Sequence, residues 1–355
     1  MGFRGQKVLV VGGAGFVGSN LVHTLLSQEP AEIIVVDNLL SSERSNLPAD
    51  SRIHFVPGSI TDDQILGNLP EDLDYCFHLA CFHGNQSSIA DPLADHENNT
   101  LTSLKLFNRL KEIRGLRKVV YAAAGCAVAE KTHETARATL EDAPVSLFHD
   151  SPYSISKLIG EMYGNYFWQR HGLPFVKARF QNVYGPREIL GAGRWRGTVH
   201  TVWRNVVPTF IWKSLEGEAL PLENGGKTSR DFIFVDDLVR GLLACAERGE
   251  PGEAYNLASG VETSIGDLAG MINQLTGNPT PPDLRPARDW DRSGKRFGSV
   301  EKAREKLGFT AGVSVREGLQ RTVAWTRDNR DLIRGTIRKH DENMQKMAKE
   351  AAPKG

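Results

Sequence analysis

Two residues in the middle of the chain have types and spacing that could move a proton: Tyr153 and Lys157, in the run Tyr153-Ser154-Ile155-Ser156-Lys157. On a helix, positions i and i+4 lie one turn apart on the same face. A free tyrosine titrates near pH ~10 and is a poor base at neutrality, but a neighbouring ammonium favours the phenolate. Such a spacing is common on helix surfaces, so its meaning depends on what else the chain can assemble around it.

A second group of residues could hold an anion. Gly12-Gly13-Ala14-Gly15-Phe16-Val17-Gly18 follows the apolar run Lys7 to Val11 and opens a pattern from Phe16 to Leu26, in which Val17, Leu21 and Leu25 recur at helical spacing. Glycines at 12, 15 and 18 leave the backbone clear for a pyrophosphate, and the helix beginning at Phe16 and Val17 points its positive end at that anion. The next apolar run, Glu32 to Val36, ends in Asp37, about 20 residues past the last glycine. A carboxylate there can accept a hydrogen bond from a ribose 2′-hydroxyl and would repel a 2′-phosphate, which favours NAD over NADP. The positive nicotinamide ring would add to the pull of Lys157 on Tyr153. The pair could then take a proton from a substrate hydroxyl while hydride leaves the same carbon.

The elements that must position these groups are legible as an alternation. Lys7 to Val11, Glu32 to Val36, Ile53 to Val56, Tyr75 to Leu79, Lys118 to Ala122 and Pro174 to Phe180 read as strands. Helices are expected at Phe16 to Leu26, Pro92 to Lys111 and Tyr153 to Arg170. Strands separated by helices predict an α/β fold, a Rossmann-type doubly wound parallel sheet. Past Tyr184 the pattern changes at Gly185-Pro186, Gly191-Ala192-Gly193 and a stretch around Trp195, so a smaller, discontinuous C-terminal substrate domain is expected. Phe232 to Val235, followed by Asp236-Asp237, reads as a strand that rejoins the structure before a helix from Leu238 to Ala246. The expected division is 1–185 with about 230–257 for the dinucleotide domain and 186–229 with 258–330 for the substrate domain. Residues 331–355 are expected to form a charged tail, a frayed helix or disordered.

Composition excludes several classes. Lys+Arg and Asp+Glu are equal at 43 each, so the chain has no net charge with which to bind nucleic acid or an anionic membrane. No apolar run is long enough to span a bilayer, and Met1 to Lys7 lack the stretch and cleavage site of a signal peptide, so cytoplasm is the expected location. Cys76, Cys81, Cys126 and Cys245 show no CxxC spacing. They read as structural thiols, and no metal site is expected.

With these residues in place, the chain over roughly residues 6 to 328 resembles the extended short-chain dehydrogenase/reductase family, in its NAD-dependent nucleotide-sugar epimerase/dehydratase branch. The glycine loop with Asp37 and Asn38 matches the family's cofactor site, and Tyr153 and Lys157 match its catalytic pair. His78-Leu79-Ala80 matches the segment after the fourth strand, and Asn98-Asn99-Thr100 is similar to the start of the following long helix. The resemblance implies that Leu79 and Ala80 also line the cofactor and that Phe180 borders nicotinamide. Arg179 to Arg187 looks like the segment leading into the substrate domain, and Arg230 to Asp237 resembles the block whose arginine binds the diphosphate. A guanidinium fork fits phosphate oxygens better than an ammonium does. Asn182, Arg230, His83 and Thr209 are thus expected at the nucleotide sugar, with a second arginine, Arg288 or Arg292, or else Trp290 between them, as a further holder of the nucleotide.

Three departures from the family pattern bear on the chemistry. A serine or threonine usually assists the tyrosine, but Tyr121-Ala122-Ala123-Ala124-Gly125-Cys126 places Ala124 there. Cys126 stands where dehydratases and sugar-acid decarboxylases of the branch carry a carboxylate, which argues against both chemistries. Ser59-Ile60 stands where Asp-Ile is common near adenine. A 4-epimerase is therefore the leading expectation, with a net dehydrogenase or reductase and a non-catalytic dinucleotide-sensing protein as rivals. The helices at 95–111 and 153–170 resemble those that pair across a homodimer in this family.

Overall fold

The apolar runs meet as neighbours in one seven-stranded parallel sheet, seen in a computed structural model that describes residues 2–128, 135–289 and 294–351. In chain order its elements are β1 (Lys7–Val11), α1 (Phe16–Leu26), β2 (Glu32–Asp37), β3 (Ile53–Pro57), β4 (Tyr75–His78), α2 (Thr102–Leu110), β5 (Lys118–Ala124), α3 (Pro152–His171) and β6 (Phe175–Phe180). The later elements are β7 (Asn182–Tyr184), α4 (Val206–Leu215), β8 (Ser229–Phe234), α5 (Val235–Arg248), β9 (Ala254–Leu257), β10 (Glu262–Ser264), α6 (Ile265–Thr276), α7 (Val315–Asp328), α8 (Arg330–Arg338) and α9 (Asp341–Ala351). The sheet runs β9-β6-β5-β4-β1-β2-β3, the doubly wound order expected from sequence. The chain reverses direction across the sheet between β1 and β4, so their carboxyl ends flank the crevice where such folds bind ligands.

Side chains alternate across a strand, and β1 shows the consequence. Val8 and Val10 face α1 through Leu21, Val22 and Leu25, whereas Leu9 and Val11 face α2 and α3 through Leu106, Phe107, Leu110 and Phe167. Both faces are covered, which is why the strands read as continuous apolar runs. α3 lies close against the sheet because Gly160 and Gly164 leave room for the Tyr121 phenol and the Phe175 ring. The same helix is held to the end of β6 by a buried bidentate pair, Arg179 to Glu161 at 2.8 and 2.9 Å.

Two expected elements differ. The helix predicted from Pro92 to Lys111 is interrupted by a wide π-type turn at His96–Leu101 before α2 begins. Asn99 is the physical reason. Its amide bonds both backbone groups of Phe82 and the Asp95 carboxylate, drawing the loop after β4 into the helix where a regular turn would carry its own ladder. The C-terminal segment is the second correction. Its first part is docked: α8 buries Ile333 against Ile189, Leu190, Ala192 and Trp212, Thr336 is buried beside it, and His340 Nε2 bonds Gly191 O at 2.9 Å, whereas most of α9 is exposed. Three apolar or small side chains per two turns suffice to dock a helix whose composition is otherwise charged.

After β6 the chain crosses to a second, three-stranded sheet ordered β10-β8-β7, with β7 parallel to β8 from Asn182–Phe232 to Tyr184–Phe234. α4, α6 and α7 cover it through Phe210, Ile211, Leu268, Ile272, Leu319 and Val323. α5 then packs its apolar face onto the large sheet and β9 completes that sheet's edge beside β6.

Candidate active site

A cavity opens at the carboxyl ends of β1, β2, β4, β5 and β6 and reaches into the segment between β7 and α4. At its floor the glycine loop is tightly fixed. Gly12 has φ +83°, and a Cβ there would sit 2.5 Å from the Ala80 nitrogen. A Cβ on Gly18 would overlap the Gly12 carbonyl. Only glycine permits both the left-handed turn and the close approach of loop, helix and β4. Gly15 is the N-cap of α1 and brings no side-chain cap, so the amides of the first turn remain available to an anion. This glycine cradle fits the pyrophosphate of a dinucleotide.

Asp37 ends β2 and lines the cavity beside Asn38. Its carboxylate accepts from Leu39 N and Ser42 Oγ on one oxygen and Ala14 N on the other, all at 2.9 Å. Burial pushes its pKa up, and hydrogen bonds from Leu39, Ser42, Ala14 and Gly15 oppose that rise. It therefore ties the glycine loop to β2 while lining the cavity. Ser59 and Ile60 line the same end, with Ser59 Oγ bonded to Thr61 Oγ1 at 2.8 Å.

α3 brings Tyr153 and Lys157 to the other end. Ser151 caps the helix, Pro152 opens it, and the Tyr153 amide donates to Ser88 Oγ at 3.1 Å. Lys157, one turn later, is 3% exposed, and its Nζ donates to the Ala122 carbonyl at 3.0 Å while lying 5.9 Å from the Tyr153 ring centroid. A buried ammonium held on a main-chain carbonyl beside a half-buried phenol is placed to stabilise the phenolate. Leu79, Ala80, Ala122, Ala124 and Phe180 complete the walls here.

Of the residues singled out in the sequence, Gly12, Gly15, Phe16, Val17, Gly18, Asp37, Asn38, Ser59, Ile60, Leu79, Ala80, His83, Tyr153, Lys157, Phe180 and Asn182 all line this cavity. Thr209, Arg230 and Arg288 do not. Thr209 sits on α4, the Arg230 guanidinium donates to the carbonyls of Ser229 and Gly294 at 2.7 and 2.8 Å, and Arg288 pairs with Glu223. Arg292, Trp290 and the side chain of Cys126 lie outside the described residues.

Sequence reasoning missed a strap, residues 187–205, that closes the substrate end with Arg187, Glu188, Arg204 and Asn205. Arg187 Nη1 donates to Asn20 Oδ1 on α1 at 2.7 Å, and Arg204 Nη2 donates to the carbonyls of Ser41, at 2.6 Å, and Ala192. No periodicity marks this stretch; arginines clustered in a Gly-rich loop were the one available signal. Cys81, expected as a structural thiol, also lines the cavity, unlike the buried Cys76 and Cys245. Burial alone would push its thiol up, but Lys157, a hydrogen bond with His83 and the charges of His83 and Arg196 carry it down to about 7.

A doubly wound parallel sheet, a glycine cradle at the amino end of α1 and a Tyr–Lys pair on one helix face of the same cavity define a dinucleotide-dependent enzyme of the short-chain dehydrogenase/reductase type. Comparison with known proteins places the chain within that class. The model of the NAD dependent epimerase/dehydratase family matches residues 8–258. A UDP-glucose 4-epimerase of Mycolicibacterium smegmatis is 31% identical, over 91% of this chain and 99% of its own length. A dTDP-glucose 4,6-dehydratase of Streptomyces antibioticus is 29% identical over 92% and 93%. Among solved structures, the Bordetella bronchiseptica enzyme WbmF in complex with NAD+ and UDP superposes with a TM-score of 0.87 at 56% identity, covering 97% of this chain and 98% of that one. The chain belongs to the NAD-dependent epimerase/dehydratase family.

Proposed function

We propose that the protein is a nucleotide-sugar 4-epimerase that works through a transient 4-keto sugar, with Tyr153 as acid and base. The observation that carries this reading is the Lys157 ammonium, buried on the Ala122 carbonyl and 5.9 Å from the Tyr153 ring in the cavity that also holds the glycine cradle. Gly12, Gly15, Gly18 and the first turn of α1 would hold the pyrophosphate of NAD, Asp37 its ribose and Phe180 its nicotinamide. Bound there, the cofactor would accept and return a hydride at the sugar carbon. Tyr153 takes the hydroxyl proton in the first half of the cycle and gives it back in the second, and Lys157 keeps the phenol acidic enough to do both at neutral pH. Asn182 and the strap residues hold the nucleotide while the keto sugar turns, which asks for binding and the exclusion of water rather than further chemistry.

Supporting likenesses come from both comparisons: a curated relative is a UDP-glucose 4-epimerase, and WbmF was crystallised with NAD+ and UDP. A UDP-linked hexose is accordingly the first substrate to try. Purified protein incubated with UDP-hexoses and NAD is expected to yield the C4 epimer by NMR without stoichiometric NADH. Consistent failure across UDP-, GDP-, CDP- and dTDP-hexoses would defeat the proposal, steady growth of absorbance at 340 nm would identify a net dehydrogenase, and NAD binding without turnover would identify a sensor.

A homodimer is part of the same reading. Ile155, Met162 and Tyr166 leave 45 to 54% of their surfaces exposed along one face of α3, and Ile89 and Leu93 are exposed on the neighbouring helical segments. Apolar side chains at helical spacing on two adjacent exposed helices suit pairing with the same face of a second copy.

A further inference from the structure

Glu188 is the only carboxylate in the strap, and it lines the cavity while just 6% exposed. One of its oxygens is engaged: Asn205 Nδ2 donates to Oε1 at 2.6 Å. The other, Oε2, is buried and has no partner among the described residues. A buried acceptor in that state costs free energy until a donor reaches it. The groups around it are set out from the reacting end. The His83 ring stands edge-on to Tyr153, with centroids 5.8 Å apart and planes at 80°, and His83 Nε2 meets Asn205 Oδ1 at 3.0 Å. Because that oxygen can only accept, Nε2 carries a proton. Asn205 is also the N-cap of α4, where an asparagine ordinarily spends its side-chain oxygen on the first helical amides. It makes no such bond here and serves His83 and Glu188 instead. Tyr153, His83, Asn205 and Glu188 all line the cavity and follow one another from its reacting end into the strap.

We propose that Glu188 is a specificity-determining residue: its second carboxylate oxygen binds a hydroxyl of the substrate's sugar other than the one that reacts, and Asn205 and His83 position it relative to Tyr153. The proposal rests on the epimerase reading and deepens it. A hydroxyl both donates and accepts, so it pairs with Oε2 whether the carboxyl is ionised or carries its proton there. A phosphate or a carboxylate only accepts, and the ionised form would refuse it. In the same reading the cofactor's adenosine and pyrophosphate are held at Asp37 and the glycine cradle, whereas the chain to Glu188 starts at Tyr153, where the sugar reacts. A single hydrogen bond selects and orients the sugar without clamping it, and it is exchanged when the keto sugar turns.

The test pairs side chain with hydroxyl on the full chain. Wild type and Glu188→Ala are assayed for C4 epimer formation with UDP-glucose and with its 2-deoxy, 3-deoxy and 6-deoxy analogues. For one analogue the wild type should lose on the order of 10- to 100-fold in kcat/KM, and Glu188→Ala should lose a similar factor on UDP-glucose but little more on that analogue. Glu188→Gln, which keeps an acceptor for Asn205 and turns an N–H towards the hydroxyl, should retain more of the discrimination than Glu188→Ala. A merely structural role would lower all four substrates alike; that outcome, or a wild type indifferent to every deoxy analogue, overturns the proposal. NAD affinity by calorimetry should be the same in wild type and Glu188→Ala, and a weakening that matches the loss in kcat/KM would put the hydroxyl on the cofactor's ribose and overturn it too. If the wild type does not turn over UDP-glucose, the same four compounds are compared by calorimetric binding to wild type and Glu188→Ala, which decides the role of Glu188. Failure of every nucleotide hexose to react defeats the epimerase reading alone.

Discussion

At the scale of single residues, the site sets one group against another. Tyr153→Phe keeps the ring and removes the acid, so kcat should fall by about 10²- to 10⁴-fold while NAD affinity and melting temperature stay close to wild type. Stopped-assay NMR and a thermal melt check the two halves. Gly12→Ala asks a Cβ to share space with the Ala80 backbone at φ +83°, so it should abolish NAD binding, read by calorimetry, and lower stability by roughly 1–3 kcal/mol. Glu188 supplies a pH dependence. Burial raises its carboxyl from 4.5 to about 7, against His83, Asn205 and Arg204. Between those values the folded chain binds more protons than the unfolded chain, so stability falls as pH rises from about 4.5 to 7. The loss should be on the order of 3 kcal/mol, and Glu188→Gln, which keeps an acceptor for Asn205, should flatten that stretch of the melting-temperature profile.

At the scale of elements, each piece of the site sits on a different support. The glycine cradle depends on α1 meeting β1 and β4, the Tyr–Lys pair on α3 lying close to β5 and β6, and the strap on α8. That last dependence is specific. Thr336 Oγ1 donates to Leu190 O at 2.6 Å, and Gly191 is free of a side chain where Ile337 passes. Ile333→Ala should cost about 2–4 kcal/mol by leaving a cavity against Leu190 and Trp212. Because the strap carries Glu188, Arg204 and Asn205, ending the chain at residue 329 should also raise KM for the nucleotide sugar. A truncated protein with unchanged KM and melting temperature would show that α8 is dispensable. The charged composition of this segment concealed its role, since docking needs only a narrow stripe of apolar side chains and the surface they meet belongs to a loop far away in sequence.

At the scale of the whole molecule, the proposed dimer predicts twice the monomer mass by light scattering at micromolar concentration, and Met162→Glu on the exposed face of α3 should halve that mass without unfolding the chain. The large sheet, the glycine cradle and the Tyr–Lys pair were legible in the sequence because each is written locally. A strand buried on both faces is a short apolar run, a phosphate turn is a glycine spacing, and a helical pair is four residues apart. The strap, the His83–Asn205–Glu188 chain and the docking of α8 were not, since each joins residues that are far apart in the chain through irregular segments with no period to read. Backbone geometry repeats and so leaves a pattern in the order of residues; side-chain contacts across a cavity are made once, and folding alone decides which groups meet there.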